Sequence, residues 1–168
     1  MKAAVSSLLI GVLCLSAARA WHNTPADPGQ KSRQPASATL TNTDPLGYFR
    51  IDRETLAAAP PVLKIRVTKM VNPAKTSIQL LVYLSYQPGA GHAKPEKILI
   101  GDVGFYPPDR SAGFVLSTSK AFDQLKATHA APTDVRLLVE LKRIHEAAPW
   151  TTVEATVAPP EWTSKPSK

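Results

Sequence analysis

The stretch EKILIGDVGFYPPDRSAGFVLSTSKAFDQL, residues 96–125, decides the fold of this chain because it places a strand, a turn, a second strand and a helix in succession. In its first part, period-two alternation puts Ile98 and Ile100 on one face of an extended segment. Leu99, Val103 and Phe105 lie on the opposite face of that segment. The pattern predicts a β-strand.

A proline turn is predicted to end this strand. Pro107 and Pro108 each lack the N–H that a strand ladder needs, so the chain must turn there. Residues 113–116, GFVL, form a short apolar return strand. Residues 117–119, Ser-Thr-Ser, then offer hydroxyl caps to a helix. The apolar face of this helix consists of Ala121, Phe122 and Leu125.

The sequence on either side continues the strand pattern. Residues 62–68 alternate Leu, Ile and Val with Lys, Arg and Thr, as in a strand with one wet face. Residues 77–86 carry apolar side chains on both faces, which predicts a central strand. Residues 134–144 alternate in the same way, and residues 151–157 predict a last edge strand.

A further short strand is predicted at residues 47–51, before a single helical turn that Asp52 caps and Pro60 and Pro61 end. Short strands joined by tight turns are typical of sandwiches. We therefore predict an all-β fold, an antiparallel β-sandwich of about six to seven strands with one short interposed helix.

The first 20 residues have the three parts of a secretory signal peptide, namely Lys2, an apolar run and an Ala18-Arg19-Ala20 cleavage site. The run is too short to span a bilayer of about 30 Å as a helix. We therefore expect a secreted or periplasmic protein with no transmembrane segment in the mature chain. Cys14, the one cysteine, lies in this peptide, so the mature chain excludes disulfides and Cys-ligated zinc.

The mature chain is predicted to have one domain with polar ends. Residues 21–44 are rich in Pro, Ser and Thr, and Leu40 is their only aliphatic residue larger than alanine. Such a segment buries too little apolar area to offset its ordering entropy, which predicts a flexible N-terminal segment. Residues 45–158 then form the β-sandwich domain, and residues 159–168 a polar C-terminal tail.

The charge of the chain is positive but dispersed. Net charge is +7, and removal of the signal peptide with Lys2 and Arg19 leaves 18 − 13 = +5. Basic and acidic residues alternate along the domain, which is typical of a solvated face and not of a nucleic-acid site. We expect no nucleic-acid partner, and a surface for other polyanions remains the alternative.

Four histidines are the candidate metal ligands. His129 and His145 flank a strand of about ten residues, which spans about 33 Å, so they cannot share an ion. His92 lies in a Gly/Pro loop and can approach only one of them. His22 is the one, weak, candidate metal ligand, because signal-peptide cleavage leaves the amine of Trp21 next to its imidazole.

No catalytic residue stands out in the sequence. There is no G-x-S-x-G and no H-E-x-x-H motif, and the glycines at 89 and 91 precede no helix that could bind phosphate. Asp102 and Asp109 flank the aromatic turn, with Asp102 expected on the wet face of its strand. We therefore predict no catalytic residue and no cofactor, and a small hydrolase is the remaining enzyme alternative.

Four segments in succession resemble a known β-domain. Residues 76–84, TSIQLLVYL, are similar to a PYxVRVFVN strand, and residues 99–106, LIGDVGFY, to a YAGxVxFFG strand. Residues 114–125 are similar to a strand that leads into a helix, and residues 135–141, VRLLVEL, to LxVTLVP. In this order the segments resemble the C-terminal β-domain of tyrosinases, polyphenol oxidases and hemocyanins, over residues 62–144.

The resemblance implies a function without catalysis. In that family the β-domain covers or accompanies the copper site and performs no chemistry of its own. The copper domain with its six histidines is absent here, so no functional residue is carried over. The resemblance implies a secreted, non-enzymatic accessory or interaction domain that partners a tyrosinase-type copper oxidase. The positive charge leaves the alternative of a binding module for anionic polymers or cell-envelope surfaces.

Overall fold

The computed structural model of the chain describes residues 36–88, 94–128, 132–145 and 152–164. Within these ranges the chain forms nine strands and two helices. They are β1 (Ala38–Thr41), β2 (Leu46–Arg50), α1 (Arg53–Ala58), β3 (Val62–Val71), β4 (Ile78–Gln87), β5 (Glu96–Gly104), β6 (Ala112–Ser117), α2 (Ser119–Lys126), β7 (Thr133–Arg143), β8 (Glu154–Val157) and β9 (Glu161–Thr163).

The strands form two antiparallel sheets. The five-stranded sheet has the order β1-β8-β3-β6, with β9 also paired to β3. The four-stranded sheet has the order β2-β7-β4-β5. The prediction of an all-β antiparallel sandwich is confirmed, with two short helices where the sequence analysis names one interposed helix and one helical turn.

The core lies between the sheets because the central strands turn one set of alternate residues inward. All of these inward residues are buried and belong to one hydrophobic cluster. They are Ile78, Leu80, Val82, Leu84 and Tyr86 in β4, and Val135, Leu137, Val139 and Leu141 in β7. Both strands are paired on both sides, which confirms the prediction that residues 77–86 form a central strand. The fold therefore rests on period-two alternation in two long neighbouring strands.

β8 and β9 together cover one side of β3. β8 pairs with the second half of β3, from Val67 to Val71, and β9 pairs with its first half, from Val62 to Lys64. Between them the N–H of Ala158 donates to the carbonyl of Arg66, so the ladder continues to the prolines at 159 and 160. The two short strands act as one interrupted strand.

The two helices start differently. The Asp52 carboxylate accepts a hydrogen bond of 2.6 Å from the N–H of Thr55 and caps α1, as the sequence predicts. Ala121, Phe122 and Leu125 form the buried face of α2, also as predicted. The predicted hydroxyl cap of α2 is wrong, because the Thr118 hydroxyl donates to the carbonyl of Pro60 instead.

Both predicted polar ends contain part of the sandwich. The prediction of a flexible segment through residue 44 is wrong for β1, which pairs with β8 and buries Leu40 completely. The prediction of a polar tail from residue 159 is wrong for β9, where Trp162 packs against Phe122 with 5.8 Å between the ring centroids. β8 is not the predicted edge strand, since it lies between β1 and β3.

The predicted faces of β5 are also corrected. Val82 pairs with Gly101 while Tyr83 pairs with Leu99, so β5 has one extra residue, Ile100, at this point. A bulge of this kind reverses the alternation beyond it. Val103 consequently packs against the core like Ile98 and Ile100, and of the three residues predicted on the opposite face only Leu99 projects outward.

The sheets meet closely where β1 passes β2. Gly47 is buried, and a Cβ added to it would lie 2.9 Å from both Ala38 Cβ and Leu40 Cδ2. Such distances are shorter than van der Waals contact, so a side chain at this position would force the two strands apart. The absence of a side chain at Gly47 thus lets this corner of the sandwich close.

Candidate functional site

The outer face of the four-stranded sheet carries a row of large apolar side chains. Tyr48 of β2 pairs with Leu138 of β7, Leu138 with Tyr83 of β4, and Tyr83 with Leu99 of β5. We call these four residues the apolar row. Because neighbouring strands are about 4.8 Å apart, the row extends about 14 Å across the sheet.

The apolar row is partly open to solvent. Tyr48 is 43% and Leu99 53% exposed, whereas Leu138 is 0% exposed although it does not belong to the core cluster. The flanking Tyr48 and Tyr83, its cross-strand neighbours, are placed to cover it. A sheet face of this kind, apolar at its centre and polar around it, is typical of a contact surface for a partner.

A basic row lies next to the apolar row. Arg50, Arg136, Ser85 and Lys97 follow one another across β2, β7, β4 and β5. Arg50 and Arg136 are direct cross-strand neighbours, an arrangement in which like charges repel. The Arg136 guanidinium is balanced by Asp134, with 2.6 Å between Nη2 and Oδ2. The row thus presents positive charge along one side of the apolar row.

An acidic row lies on the other side. Leu46, Glu140, Leu81 and Asp102 follow one another in the same strand order. Asp102 is exposed, as the sequence predicts. The outer face therefore changes from positive through apolar to negative along the strand direction.

Tyr83 is held between the two charged rows. Burial raises the pKa of its phenol, and the charge of Glu140 and its hydrogen bond with the phenol raise that pKa further. On the other side, Lys97 Nζ lies 5.4 Å from the centre of the Tyr83 ring, within the range of a cation–π contact. These contacts fix the ring on the sheet surface.

On the inner face of β4, the phenol of Tyr86 makes the stability of the protein depend on pH. Its hydroxyl donates to Glu96 Oε2 at 2.5 Å, and this bond to the carboxylate, followed by burial, raises the pKa of the phenol above its ordinary value of about 10. The folded protein therefore holds the phenol proton more tightly than the unfolded chain does. The contribution of this hydrogen bond to stability is complete below about pH 10 and is lost as the pH rises through the pKa of Tyr86 in the folded protein.

Tyr86→Phe should therefore reduce the loss of stability at alkaline pH. Denaturant unfolding at pH values below and above about 10 measures the free energy of unfolding of both proteins. We expect the wild type to lose more stability than the variant on this change. Glu96→Gln removes the charge that holds the proton and should also reduce the loss. Equal losses in all three proteins would contradict the linkage.

Of the four histidines considered as metal ligands, the described part of the chain contains one. His145 is exposed just after β7, and His22, His92 and His129 lie outside the described residues. Within the described ranges no three His, Cys, Asp or Glu residues come together as a metal site. Asp109, the carboxylate that follows the aromatic turn, forms an ion pair with Lys75, with 3.7 Å between Nζ and Oδ2. The predicted signal peptide, including Cys14, also lies outside these ranges.

Two other surfaces were candidates for a site. A cavity of about 300 Å³ lies between the two helices and the start of β7, and its lining is mainly apolar, formed by Leu56, Phe122, Leu125, Lys126, Thr128, Pro132 and Val135. The second surface is at Tyr106, two residues after the end of β5, where the side chain is 99% exposed. Neither of these two surfaces combines apolar and charged groups in ordered rows.

Among the described helices, none is long and apolar enough to cross a membrane.

The outer face has one signal in the sequence. On the outward side of β7, Arg136, Glu140 and Lys142 surround Leu138, the one apolar residue among them. The pairing of this position with two tyrosines from other strands is not visible in the sequence. A scan against models of known protein families found no match, and neither curated proteins nor solved structures gave one.

Proposed function

We propose that this chain is a non-enzymatic interaction domain and that its partner binds the outer face of the four-stranded sheet. The observation that supports this most is the apolar row, in which Tyr48 and Leu99 are exposed on a sheet whose other face already packs the core. Tyrosine and arginine are among the residues that commonly carry the binding energy of protein interfaces, and this face presents both.

The partner we propose is a tyrosinase-type copper oxidase. This proposal comes from the resemblance of residues 62–144 to the β-domain that accompanies the copper domain in that family. A domain that contacts an enzyme needs a stable surface more than a reactive group. A two-sheet sandwich whose outer face is ordered by cross-strand pairs provides such a surface.

Binding to the copper domain of a tyrosinase, produced without its own β-domain, tests this function. Tyr48→Ala combined with Leu99→Ser should weaken the affinity at least about tenfold, since loss of the two exposed apolar contacts of the row costs more than about 1.4 kcal/mol. Titration calorimetry measures the dissociation constants. Val115→Ser is the matched control, because Val115 is 59% exposed on β6 of the other sheet.

The outcomes separate the two parts of the proposal. No binding of the wild-type chain would contradict the oxidase partner. Equal binding by the wild type and the Tyr48/Leu99 variant would contradict the outer face as the site. Loss of binding by Val115→Ser would place the contact on the other sheet.

A second candidate function is the binding of anionic polymers, and the basic row favours it. Arg50, Arg136 and Lys97 lie on the same side of the apolar row, where an anionic polymer would meet three basic side chains. With polygalacturonate as the probe, Arg50→Gln with Lys97→Gln should weaken binding, while Lys120→Gln on α2 should have little effect. Affinity should decrease steeply as salt increases. Salt-independent binding would contradict an electrostatic site.

A further inference from the structure

The outward side chains of β7 form a charge pattern that is the reverse of itself. In the regular part of its ladder they are Arg136, Leu138, Glu140 and Lys142, whereas Asp134 lies in the irregular register before Arg136 and forms an ion pair with it. When this order is inverted about Leu138, Arg136 faces Glu140.

β5 repeats the pattern at the edge of the same face. Lys97 lies in the basic row, Leu99 in the apolar row and Asp102 in the acidic row. The bulge at Ile100 is what brings Asp102 into line with Glu140, because without the extra residue the outward position would be occupied by Gly101. Inversion about Leu99 therefore places Lys97 opposite Asp102.

From these two patterns we propose that a second copy of this chain packs on the outer face of the four-stranded sheet. The two copies are related by a two-fold axis that runs along the apolar row. This operation leaves the apolar row facing itself and places the basic row of each copy over the acidic row of the other, with opposite charges on β7 and β5, Arg50 over Leu46 and Ser85 over Leu81. Arg136 then meets Glu140 of the second copy, and Lys97 meets Asp102, each pair occurring twice.

The dimensions of stacked sheets permit these contacts. Packed sheets lie about 10 Å apart, and their strands cross at about 30° because each sheet is twisted. The charged rows are two residues, or about 7 Å, from the axis, so this angle displaces facing side chains by only a few ångströms. Arg, Lys and Glu side chains are long enough to cover that displacement.

The second copy would extend interactions that one chain already makes. Asp134 holds Arg136 by two contacts, 2.6 Å from Nη2 and 2.9 Å from Nε. In the dimer the same guanidinium would also contact Glu140 of the second copy, so that the carboxylate within the chain and the carboxylate of the other copy share it. Ion pairs linked in this way contribute more than isolated surface pairs do.

The dimer should be weak. The face is about 14 Å wide and about 30 Å long, or on the order of 400 Å² in projection, whereas stable interfaces bury about 800 Å² per partner. We therefore expect reversible, concentration-dependent association. The proposed dimer rests on the proposed function only in that both use the outer face of the four-stranded sheet. A second copy would therefore compete with another partner for that face.

Charge exchange tests the dimer. In sedimentation equilibrium of the purified protein, expressed from its full-length sequence, the mass should rise with concentration from that of one chain towards that of two. Lys97→Glu alone and Asp102→Lys alone should each weaken association at least about tenfold, because each turns two attractions into repulsions.

An equimolar mixture of the two variants should associate again. In the mixed dimer the introduced glutamate of one chain faces the introduced lysine of the other, and the unchanged Asp102 of the first faces the unchanged Lys97 of the second. Both contacts are then attractive, as they are in the wild type.

The mixture distinguishes contact between copies from an effect within one chain. If each variant is weakened and the mixture does not associate, Lys97 does not face Asp102 of a second copy, and the proposed arrangement is wrong. A wild-type chain that stays monomeric at millimolar concentration would also overturn the dimer. In that case the proposed function stands if the Tyr48/Leu99 variant still loses binding to the copper domain.

Discussion

Phe122→Ala should lower the free energy of unfolding by about 3–5 kcal/mol, as large-to-small changes in a packed core do. Phe122 is 2% exposed and belongs to the hydrophobic core cluster, with the Trp162 ring beside it. Alanine is a better helix former than phenylalanine, so the loss cannot come from the helix itself. Denaturant unfolding with an unchanged m-value measures it.

Gln124→Ala is the control for this change, because Gln124 lies on the exposed face of the same helix. Its effect should stay within about 0.5 kcal/mol. A loss below about 1 kcal/mol for Phe122→Ala would mean that α2 does not anchor the sandwich as described.

Gly47→Ala should destabilise the protein by on the order of 1–3 kcal/mol, although it adds only one methyl group. The added Cβ would lie 2.9 Å from Ala38 Cβ, and one strand must move to accept it. Thermal unfolding measures the loss. Ala38→Gly in the same chain should recover part of it, because it removes one of the two clashing atoms.

Two other glycines serve as matched controls. A Cβ added at Gly104 or at Gly113 meets nothing within 4 Å. Alanine there should be neutral or slightly stabilising, since it restricts the unfolded chain. If Gly47→Ala is as harmless as these two, β1 and β2 do not meet as closely as described.

The sequence predicts those parts of the fold in which local pattern and tertiary structure agree. β4 and β7 are long, and their alternation alone predicts both their length and their inward faces. The same holds for α2, whose three apolar residues lie at helical spacing and are buried. Asp52 is also predictable, because a capping carboxylate needs only the next three residues.

The parts that were missed depend on partners distant in sequence. β1 has one large aliphatic residue, Leu40, and becomes a strand through pairing with β8, more than 100 residues later. β9 is three residues long and is held by β3 and by Phe122. The bulge at Ile100 reverses the alternation, and its one local signal is the glycine at the next position, Gly101, which indicates a bulge only weakly.

The candidate site was missed for a related reason. The apolar row takes one residue from each of four strands, and only the register of those strands brings them together. Period-two alternation predicts that each residue faces outward or inward. It does not predict which outward residues are neighbours, so the order of positive, apolar and negative rows becomes visible only with the pairing.

The interrupted strand beside β3 has a consequence for hydrogen exchange. β9 is held by three residue pairs with β3, the ring contact of Trp162 with Phe122 and an ion pair of Glu161 with Arg66, whereas β8 is flanked by strands on both sides. Opening of β9 alone would release its backbone amides to solvent while the amide of Ala158, which is bonded to Arg66, stays protected. The backbone amides of β9 should therefore exchange through a small local opening. The amides of β8 and Ala158 should exchange only when the sandwich as a whole unfolds.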